Sequence, residues 1–230
     1  MVVATHQPIF LPWPGFFYKA LQVDALVLLD RVQFPQGRGW LHRNRLKSDH
    51  GEHWLRVPIR TAGRGRQLIG DVEICEDRDW RARHLRSVRE LYAHAPYLQP
   101  HLTAVEAIYT RRHRMLAALN IDLIKHLWDA LGVPTKLYLQ SELGVRGRGA
   151  DLLANVCQAL TADTYLALTV AAKYIDPQTL GARRIELALA KFRPPVYPQL
   201  WGDFRYNLST LDLVLNCGPK ARDIILTGTQ

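Results

Sequence analysis

The sequence of 230 residues contains little cysteine. Its three cysteines, Cys75, Cys157 and Cys217, lie far apart and form no CxxC pair, the spacing used by zinc sites and redox-active disulfides. Each is therefore expected to be a small core residue in a reducing compartment. Cys217 lies in a leucine-rich run, which is more typical of a core residue than of a thiolate nucleophile.

Long apolar runs are also absent. Although 48% of the residues are hydrophobic, no run is long enough to span a bilayer. Met1 is followed by Val-Val-Ala-Thr-His, without the basic start or small-residue cleavage site of a secretory signal. We therefore expect a cytoplasmic protein without a membrane partner, folded as a single domain over residues 1–230.

Several motifs with known chemistry are missing. The sequence has no Walker A, GxGxxG or GxSxG pattern, which disfavours ATP hydrolysis, Rossmann redox chemistry and serine-hydrolase chemistry. His42, His50 and His53 are close in sequence but lack a carboxylate at helical spacing, so we assign no metal ligands. Zinc-finger spacing, an RNP-like aromatic strand and a KH-type GxxG loop are absent, which argues against a nucleic-acid partner.

Positive charge is present in excess. Thirty lysines and arginines against 21 acidic residues give a net charge of +9 and an isoelectric point near 9.7. The excess is concentrated before residue 115, in the segments 38–47, 60–66, 78–89 and 111–114. A phosphorylated small molecule, an acidic protein partner or a solvated basic surface would each account for this distribution.

Short apolar strands alternate with helical segments along the chain. Strands are predicted over residues 2–5, 25–29, 54–59, 71–75, 135–139 and 164–169. Helices are predicted over residues 15–21, 79–92, 98–131 (as one or two helices), 150–160 and 211–216. This order predicts a three-layer α/β/α fold with a largely parallel sheet and an additional helical section.

The first predicted strand ends on two polar residues, His6 and Gln7, followed by a proline-rich loop. The carboxyl ends of parallel strands open into the ligand crevice, so we expect these side chains to be catalytic. His6 is the leading candidate for a base and Gln7 for an amide donor, while Asp30, which ends the second strand, would orient the imidazole. In the alternative interpretation His6 only caps the strand, and Asp30 caps a turn or pairs with Arg31.

Three basic residues, Arg43, Arg45 and Lys47, alternate after the second strand. On one face of an extended strand they would suit a pyrophosphate or a phosphopantetheine, and Asn44 between them could donate its amide to an oxyanion. Alternatively, they form a solvated edge strand protected by charge. We expect no tightly bound cofactor, and coenzyme A or a phosphopantetheine-linked donor would be a substrate.

Residues 6–48, "HQPIFLPWPGFFYKALQVDALVLLDRVQFPQGRGWLHRNRLKS", resemble the amino-terminal signature of the WbqC-like protein family. The resemblance continues in "WLRVPI", "APYL" and "YPQLWGDFRYNLSTLDLVLNCGP", and so extends over nearly the whole chain. It implies substrate contacts, beyond Arg43, Asn44 and Arg45, at the following matching positions: Trp13, Lys19, Gln33, Tyr174, Gln199 and Asp212.

The family suggests a reaction. WbqC-like proteins lie among genes for bacterial polysaccharide and natural-product assembly, and the naming member is associated with placing glycine on an amino sugar. The resemblance therefore implies a biosynthetic enzyme that joins an amine, such as an amino sugar, to a thioester-activated acyl or aminoacyl group. In residues 165–176, "YLALTVAAKYID", a Thr-Val-Ala-Ala-Lys run replaces the expected Ser- or Gly-rich loop, which implies an unusual substrate if this loop holds the substrate backbone.

The expected partner is an acidic acyl or peptidyl carrier protein, steered by Arg38, Arg43, Arg45 and Lys47. A hypothesis of a different class is a non-catalytic module that binds a phosphorylated ligand, a carrier protein or a nucleic acid through the same basic face. Such a module would need the charges but not His6. We also expect the second family-like stretch, residues 197–219, to form the far wall of the first-strand pocket.

Overall fold

The computed structural model describes residues 1–37, 39–76 and 79–227. The strands are β1 (Val2–His6), β2 (Ala25–Leu28), β3 (Arg43–Ser48), β4 (Gly51–Arg56), β5 (Lys136–Leu139), β6 (Thr164–Leu168) and β7 (Glu186–Ala190). The helices are α1 (Pro14–Ala20), α2 (Trp80–Leu91), α3 (Leu98–Thr110), α4 (Leu116–Ala130), α5 (Gln140–Leu143), α6 (Gly149–Ala159), α7 (Pro177–Gly181), α8 (Thr210–Cys217) and α9 (Ala221–Thr227). None of the helices in these ranges combines the length and the apolar character needed to cross a bilayer.

Five strands form one parallel sheet in the order β5-β2-β1-β6-β7. Their carboxyl ends therefore meet at one edge. Strands β3 and β4 form a separate antiparallel hairpin. Leu46 and Leu55 of the hairpin are buried in the same apolar cluster as the helices on one face of the main sheet.

Two apolar cores cover the two faces of the sheet. The larger core joins Phe16 and Phe17 of α1 to residues of α4, α8 and α9, and the smaller core joins Leu152 of α6 and Leu180 of α7 to the opposite face. The sequence places these elements because apolar residues recur at helical spacing between short β-branched or leucine-rich runs. The predicted three-layer α/β/α fold with a largely parallel sheet is confirmed.

Several predicted elements differ in detail. Residues 71–75, predicted as a strand, lie after a short 3₁₀ helix (Ile69–Asp71) and make only isolated bridges, from Glu73 and Ile74. The helical region 98–131 consists of α3 and α4, and β7 had no predicted counterpart. These differences arise because bridges and edge strands depend on distant partners rather than on local periodicity.

Candidate functional site

The sheet has a topological switch point between β1 and β6. From β1 the chain proceeds to β2 and β5 on one side, and from β6 it proceeds to β7 on the other. Within the described residues, β1 and β6 are paired only at Val2–Thr164 and Val3–Tyr165, whereas β6 remains paired with β7 as far as Leu168. The carboxyl halves of β1 and β6 therefore separate, and such a split is where ligands bind in open α/β sheets.

Lys19 of α1 fills part of this split. Its side chain is only 7% exposed, and its Nζ donates a hydrogen bond of 2.7 Å to the carbonyl oxygen of Thr5 on β1. The Thr5 hydroxyl is 2.9 Å from the Tyr165 hydroxyl of β6, which bridges the two strands. Burial lowers the pKa of Lys19 to about 7, and it raises the pKa of Tyr165 to about 12. Near neutral pH, Lys19 can thus gain or lose a proton while Tyr165 remains protonated.

His6 ends β1 beside this lysine. Its ring meets Phe16 of α1 edge-on, with centroids 4.8 Å apart, and its Nδ1 donates to the Gln7 carbonyl at 2.8 Å. A carbonyl can only accept a hydrogen bond, so in the neutral ring Nε2 carries the lone pair. Burial, and next the charge of Lys19, lower the pKa of His6 to about 3, while the hydrogen bond to Gln7 acts in the opposite direction. The imidazole is therefore neutral at pH 7.

A cleft of about 1040 Å³ opens at the same sheet edge, where β1, β2 and β5 end. Gln7 lines it directly after His6, together with Gln33, Gln140 and Ser141. Four arginines also line it: Arg31, Arg66, Arg146 and Arg148. None of the described lining residues is acidic. We refer to this space as the arginine cleft.

Two predicted residues, Gln7 and Gln33, thus come together in the arginine cleft, and two more, His6 and Lys19, lie at the adjoining end of β1. Asp30 directly precedes the lining residue Arg31, but its carboxylate bonds to the backbone of α5. Its carboxylate accepts a hydrogen bond from the Ser141 backbone N–H at 3.0 Å. The His6 ring is held by the Gln7 carbonyl, so orientation of that ring by Asp30 is not observed.

Two of the basic residues after β2, Arg43 and Arg45, contact aromatic and acidic side chains of the protein itself. Arg43 and Arg45 lie over the rings of Trp40 and Trp54, which stack with centroids 5.7 Å apart. Arg45 also pairs with Glu52 at 2.6 Å. The predicted alternation on one strand face is therefore present, but it meets protein aromatics and a carboxylate.

Asn44 is a structural residue. It is buried, and its Nδ2 donates to the carbonyls of Phe10 and Leu11 at 3.1 and 2.6 Å. Its Oδ1 accepts from the Arg45 N–H. Since both amide hydrogens are occupied by backbone, Asn44 has no donor left for an oxyanion, contrary to expectation.

Asp212, which belongs to the second family-like stretch, and Lys47 of β3 are both buried. Asp212 is 0% exposed, and its two carboxylate oxygens accept the hydroxyl hydrogens of Tyr92 and Tyr197 at 2.5 and 2.7 Å. The Lys47 ammonium donates to the Gly202 carbonyl at 3.3 Å. These residues cross-link the hairpin, the segment just after α2, α8 and the loop before α8, and both carboxylate oxygens of Asp212 are used in these contacts.

Three other predicted contacts also lie outside the cleft. Trp13 begins α1 with its ring against Phe192, and Gln199 makes two hydrogen bonds to the Arg205 backbone. Tyr174, 75% exposed, ends a 3₁₀ helix that follows β6. The second family-like stretch lies against the hairpin and the loop before α1, because the Ser209 and Thr210 N–H groups donate to the Arg45 and Pro12 carbonyls. Ser209 also accepts from the Leu211 N–H as an N-cap. None of the residues of this stretch, which the structure describes in full, lines the arginine cleft, so the predicted far wall of the first-strand pocket is not found there.

Sequence reasoning missed the loop that supplies half of the arginines. Residues 144–149, "GVRGRG", lie between α5 and α6 and contain Arg146 and Arg148. Arginines alternating with glycines directly before a predicted helix were the available signal, because such loops present backbone N–H groups and cations together.

Comparisons with known proteins agree with the resemblance. The model of the WbqC-like protein family matches residues 7–224. The uncharacterized protein Rv1507c of Mycobacterium tuberculosis (strain ATCC 25618 / H37Rv) is 30% identical over 225 residues, which cover 97% of this chain and 96% of the relative. No solved structure matches the chain.

Proposed function

This chain belongs to the WbqC-like protein family, and on that premise we propose that it joins an amine to an activated acyl or aminoacyl group at the split between β1 and β6. The observation that carries the proposal is the pair of buried basic side chains, His6 and Lys19, at the topological switch point of the sheet. The donor is a thioester, and the acceptor is a small-molecule amine such as an amino sugar.

The proposed reaction needs one proton acceptor. The amine nitrogen attacks the thioester carbonyl, a C–N bond forms, and the amine loses a proton to the enzyme. The C–S bond then breaks, and the departing thiolate takes up a proton, so the products are an amide and a free thiol. In this proposal Gln7, which lines the cleft directly after His6, donates to the oxyanion that forms on the carbonyl oxygen.

His6 and Lys19 act as one titrating unit in this proposal. His6 alone would be a weak base, because burial, and next the charge of Lys19, lower its pKa to about 3. Lys19 has a pKa of about 7, which suits proton transfer at neutral pH. The unit accepts the amine proton when Lys19 is neutral: Lys19 holds the proton, and the Nε2 lone pair of the neutral His6 ring passes it on.

An assay for the two products tests the proposal. The full chain would be incubated with acetyl- and glycyl-thioesters of coenzyme A and a panel of amino sugars, and free thiol and amide would be measured together. Thiol release that depends on the amine and equals the amide formed supports the transfer. Thiol release without amide would indicate hydrolysis, and donor binding without thiol release would favour the non-catalytic binding module.

The rate should depend on pH through Lys19. Its folded-state pKa lies below its ordinary value, so the neutral amine predominates above pH 7 and the ammonium below it. We expect kcat/KM to fall about tenfold for each pH unit below 7 and to level off above it. A pH profile measured at fixed ionic strength checks this, and a rate that is flat between pH 5 and 8 would contradict it.

Our proposed partner for donor delivery is an acidic carrier protein. The basic surface that would attract it contains fewer free charges than the sequence predicted. Of the four predicted residues, Arg38 lies outside the described residues, Lys47 is buried, and Arg45 is paired with Glu52. Arg43 lies over the partly exposed Trp54 ring and has no carboxylate partner in the described part of the chain.

We expect Arg43→Glu to slow association with a carrier-bound donor by about 3- to 10-fold at low salt, because opposite charges steer the encounter. The defect should shrink as salt rises. Arg86→Glu, on the exposed side of α2, makes the same charge change and serves as the control. Equal losses with carrier-bound and free donor would rule out a docking role for Arg43.

A further inference from the structure

We propose that the arginine cleft binds the diphosphate group of a small-molecule ligand. This inference rests on the proposed function in one respect: the bound diphosphate would be the part of the acyl donor that lies away from the reacting carbonyl. The cleft itself is defined by residues that neither the family description nor the named relative assigns to any ligand.

The first argument is the number of unpaired cations in one concave space. Arg66, Arg146 and Arg148 have no carboxylate partner within the described residues. In two other clefts the arginines do face carboxylates: Arg81 pairs with Glu76, and Arg114 pairs with Glu73. Arg31 is paired with Asp71 at 3.1 Å, with both side chains about half exposed. Guanidinium groups that converge on a space without carboxylates repel one another until an anion neutralises them.

The second argument is the match between guanidinium and phosphate. Each arginine presents a planar fork of N–H donors that fits two phosphate oxygens, and the three forks without a carboxylate partner already exceed what a single monophosphate can use. Neutral donors complete the lining: the Gln7 and Gln33 amides and the Ser141 hydroxyl. A diphosphate, with its larger number of oxygens, suits this set of donors.

The loop that carries Arg146 and Arg148 also allows close approach of an anion. Gly149 has φ +50 at the start of α6, and a Cβ there would meet nothing within 4 Å, so the space in front of it is open. The first turn of α6 has no side-chain cap, because Arg148 makes no capping hydrogen bond. These backbone groups add to the arginines that define the site.

The position of the cleft fits a donor that carries a diphosphate at one end and the activated acyl group at the other. Gln7 lines the cleft, and His6, the residue before it, lies at the split between β1 and β6 beside Lys19. A ligand with its diphosphate on the arginines can therefore reach the switch point with its other end. The hairpin arginines do not offer this, because Arg45 is paired with Glu52.

Binding of inorganic pyrophosphate to the full chain tests the site without any turnover. By isothermal titration calorimetry, we expect saturable binding that weakens about 10- to 100-fold in the double variant R146A/R148A, since each lost guanidinium removes charge-assisted hydrogen bonds. The control variant R83A/R86A, on α2, removes the same charge from an exposed surface outside the cleft and should bind within about twofold of the unmodified protein.

Two results would overturn the proposal: absence of saturable pyrophosphate binding to the unmodified protein, or equal weakening in both double variants, which would show a general effect of net charge. Circular dichroism of each variant confirms that it is folded. Because no thioester or amine is present, failure here leaves the proposed transfer intact, and failure of the transfer leaves this site intact.

Two further ligands distinguish the sources of a diphosphate. Coenzyme A and uridine diphosphate would be titrated under the same conditions. Tighter binding of coenzyme A than of uridine diphosphate identifies a coenzyme A-type donor, and the reverse identifies a nucleoside diphosphate. If neither binds more tightly than pyrophosphate, the cleft is a site for inorganic anions and the proposed ligand class is wrong.

Discussion

Replacing Lys19 with methionine is expected to lower kcat by about 10²- to 10⁴-fold at pH 8, the range that a general base usually contributes. Methionine keeps the length and apolar stem of the side chain but removes the amine that donates to the Thr5 carbonyl. The remaining base, His6, is buried against Phe16 and titrates too low to replace a group with a pKa of about 7.

The pH profile separates a lost base from a disturbed fold. In K19M, the ionisation near pH 7 should disappear from kcat/KM, because the group that produced it is gone. The thermal midpoint should stay at or above that of the unmodified protein, since burying an ammonium group opposes folding. A K19M protein that retains both its rate and its ionisation near pH 7 would remove Lys19 from the mechanism.

His6→Gln is the companion variant, and it also separates the two classes of function. Glutamine can still donate to the Gln7 carbonyl, but it cannot accept a proton in the reaction. An enzyme should bind pyrophosphate normally and lose turnover by a factor similar to that of K19M, because the two side chains form one unit. Unchanged turnover in H6Q would show that His6 only closes the end of β1.

The largest effect on stability is expected from Asp212→Ala, which should lower the free energy of unfolding by about 3–5 kcal/mol, as loss of one partner of a buried ionic group does. The substitution removes the acceptor of the Tyr92 and Tyr197 hydroxyls and a negative charge that favours the ammonium form of the buried Lys47. The two tyrosine hydroxyls would then lose their acceptor, and the Lys47 ammonium would keep its hydrogen bond to the Gly202 carbonyl but lose a buried carboxylate. Urea denaturation followed by circular dichroism measures the change.

Matched variants show whether the network is structural. Tyr197→Phe removes one hydrogen bond and should cost about 1–2 kcal/mol, while Asp212→Asn keeps the shape and one acceptor oxygen and should lie between Y197F and D212A. The resemblance implied a substrate contact at Asp212. That contact stays a prediction, and it would be supported if D212A kept its stability within about 1 kcal/mol and lost turnover, since a residue that binds substrate need not support the fold.

The sequence by itself determined the three-layer fold and the position of His6 and Gln7 at the carboxyl edge of the sheet. Apolar periodicity placed β1, α1 and β2, and in a parallel sheet that order brings the end of β1, with His6 and Gln7, to the ligand edge. These inferences succeeded because they depend on residues near one another along the chain. The long quoted motifs likewise identified the family, because matches in order over nearly the whole chain are specific.

Only the tertiary structure decided which polar residues meet. Arg31, Arg66, Arg146 and Arg148 converge in one cleft although more than a hundred residues of chain separate the first from the last pair. Asp212 has the sequence context of a site residue, yet its oxygens accept from Tyr92, just after α2, and from Tyr197, in the loop before α8. The partners of a charged side chain depend on how distant loops pack, and that packing sets burial, pKa and access to ligand. The local sequence pattern therefore does not predict these partners.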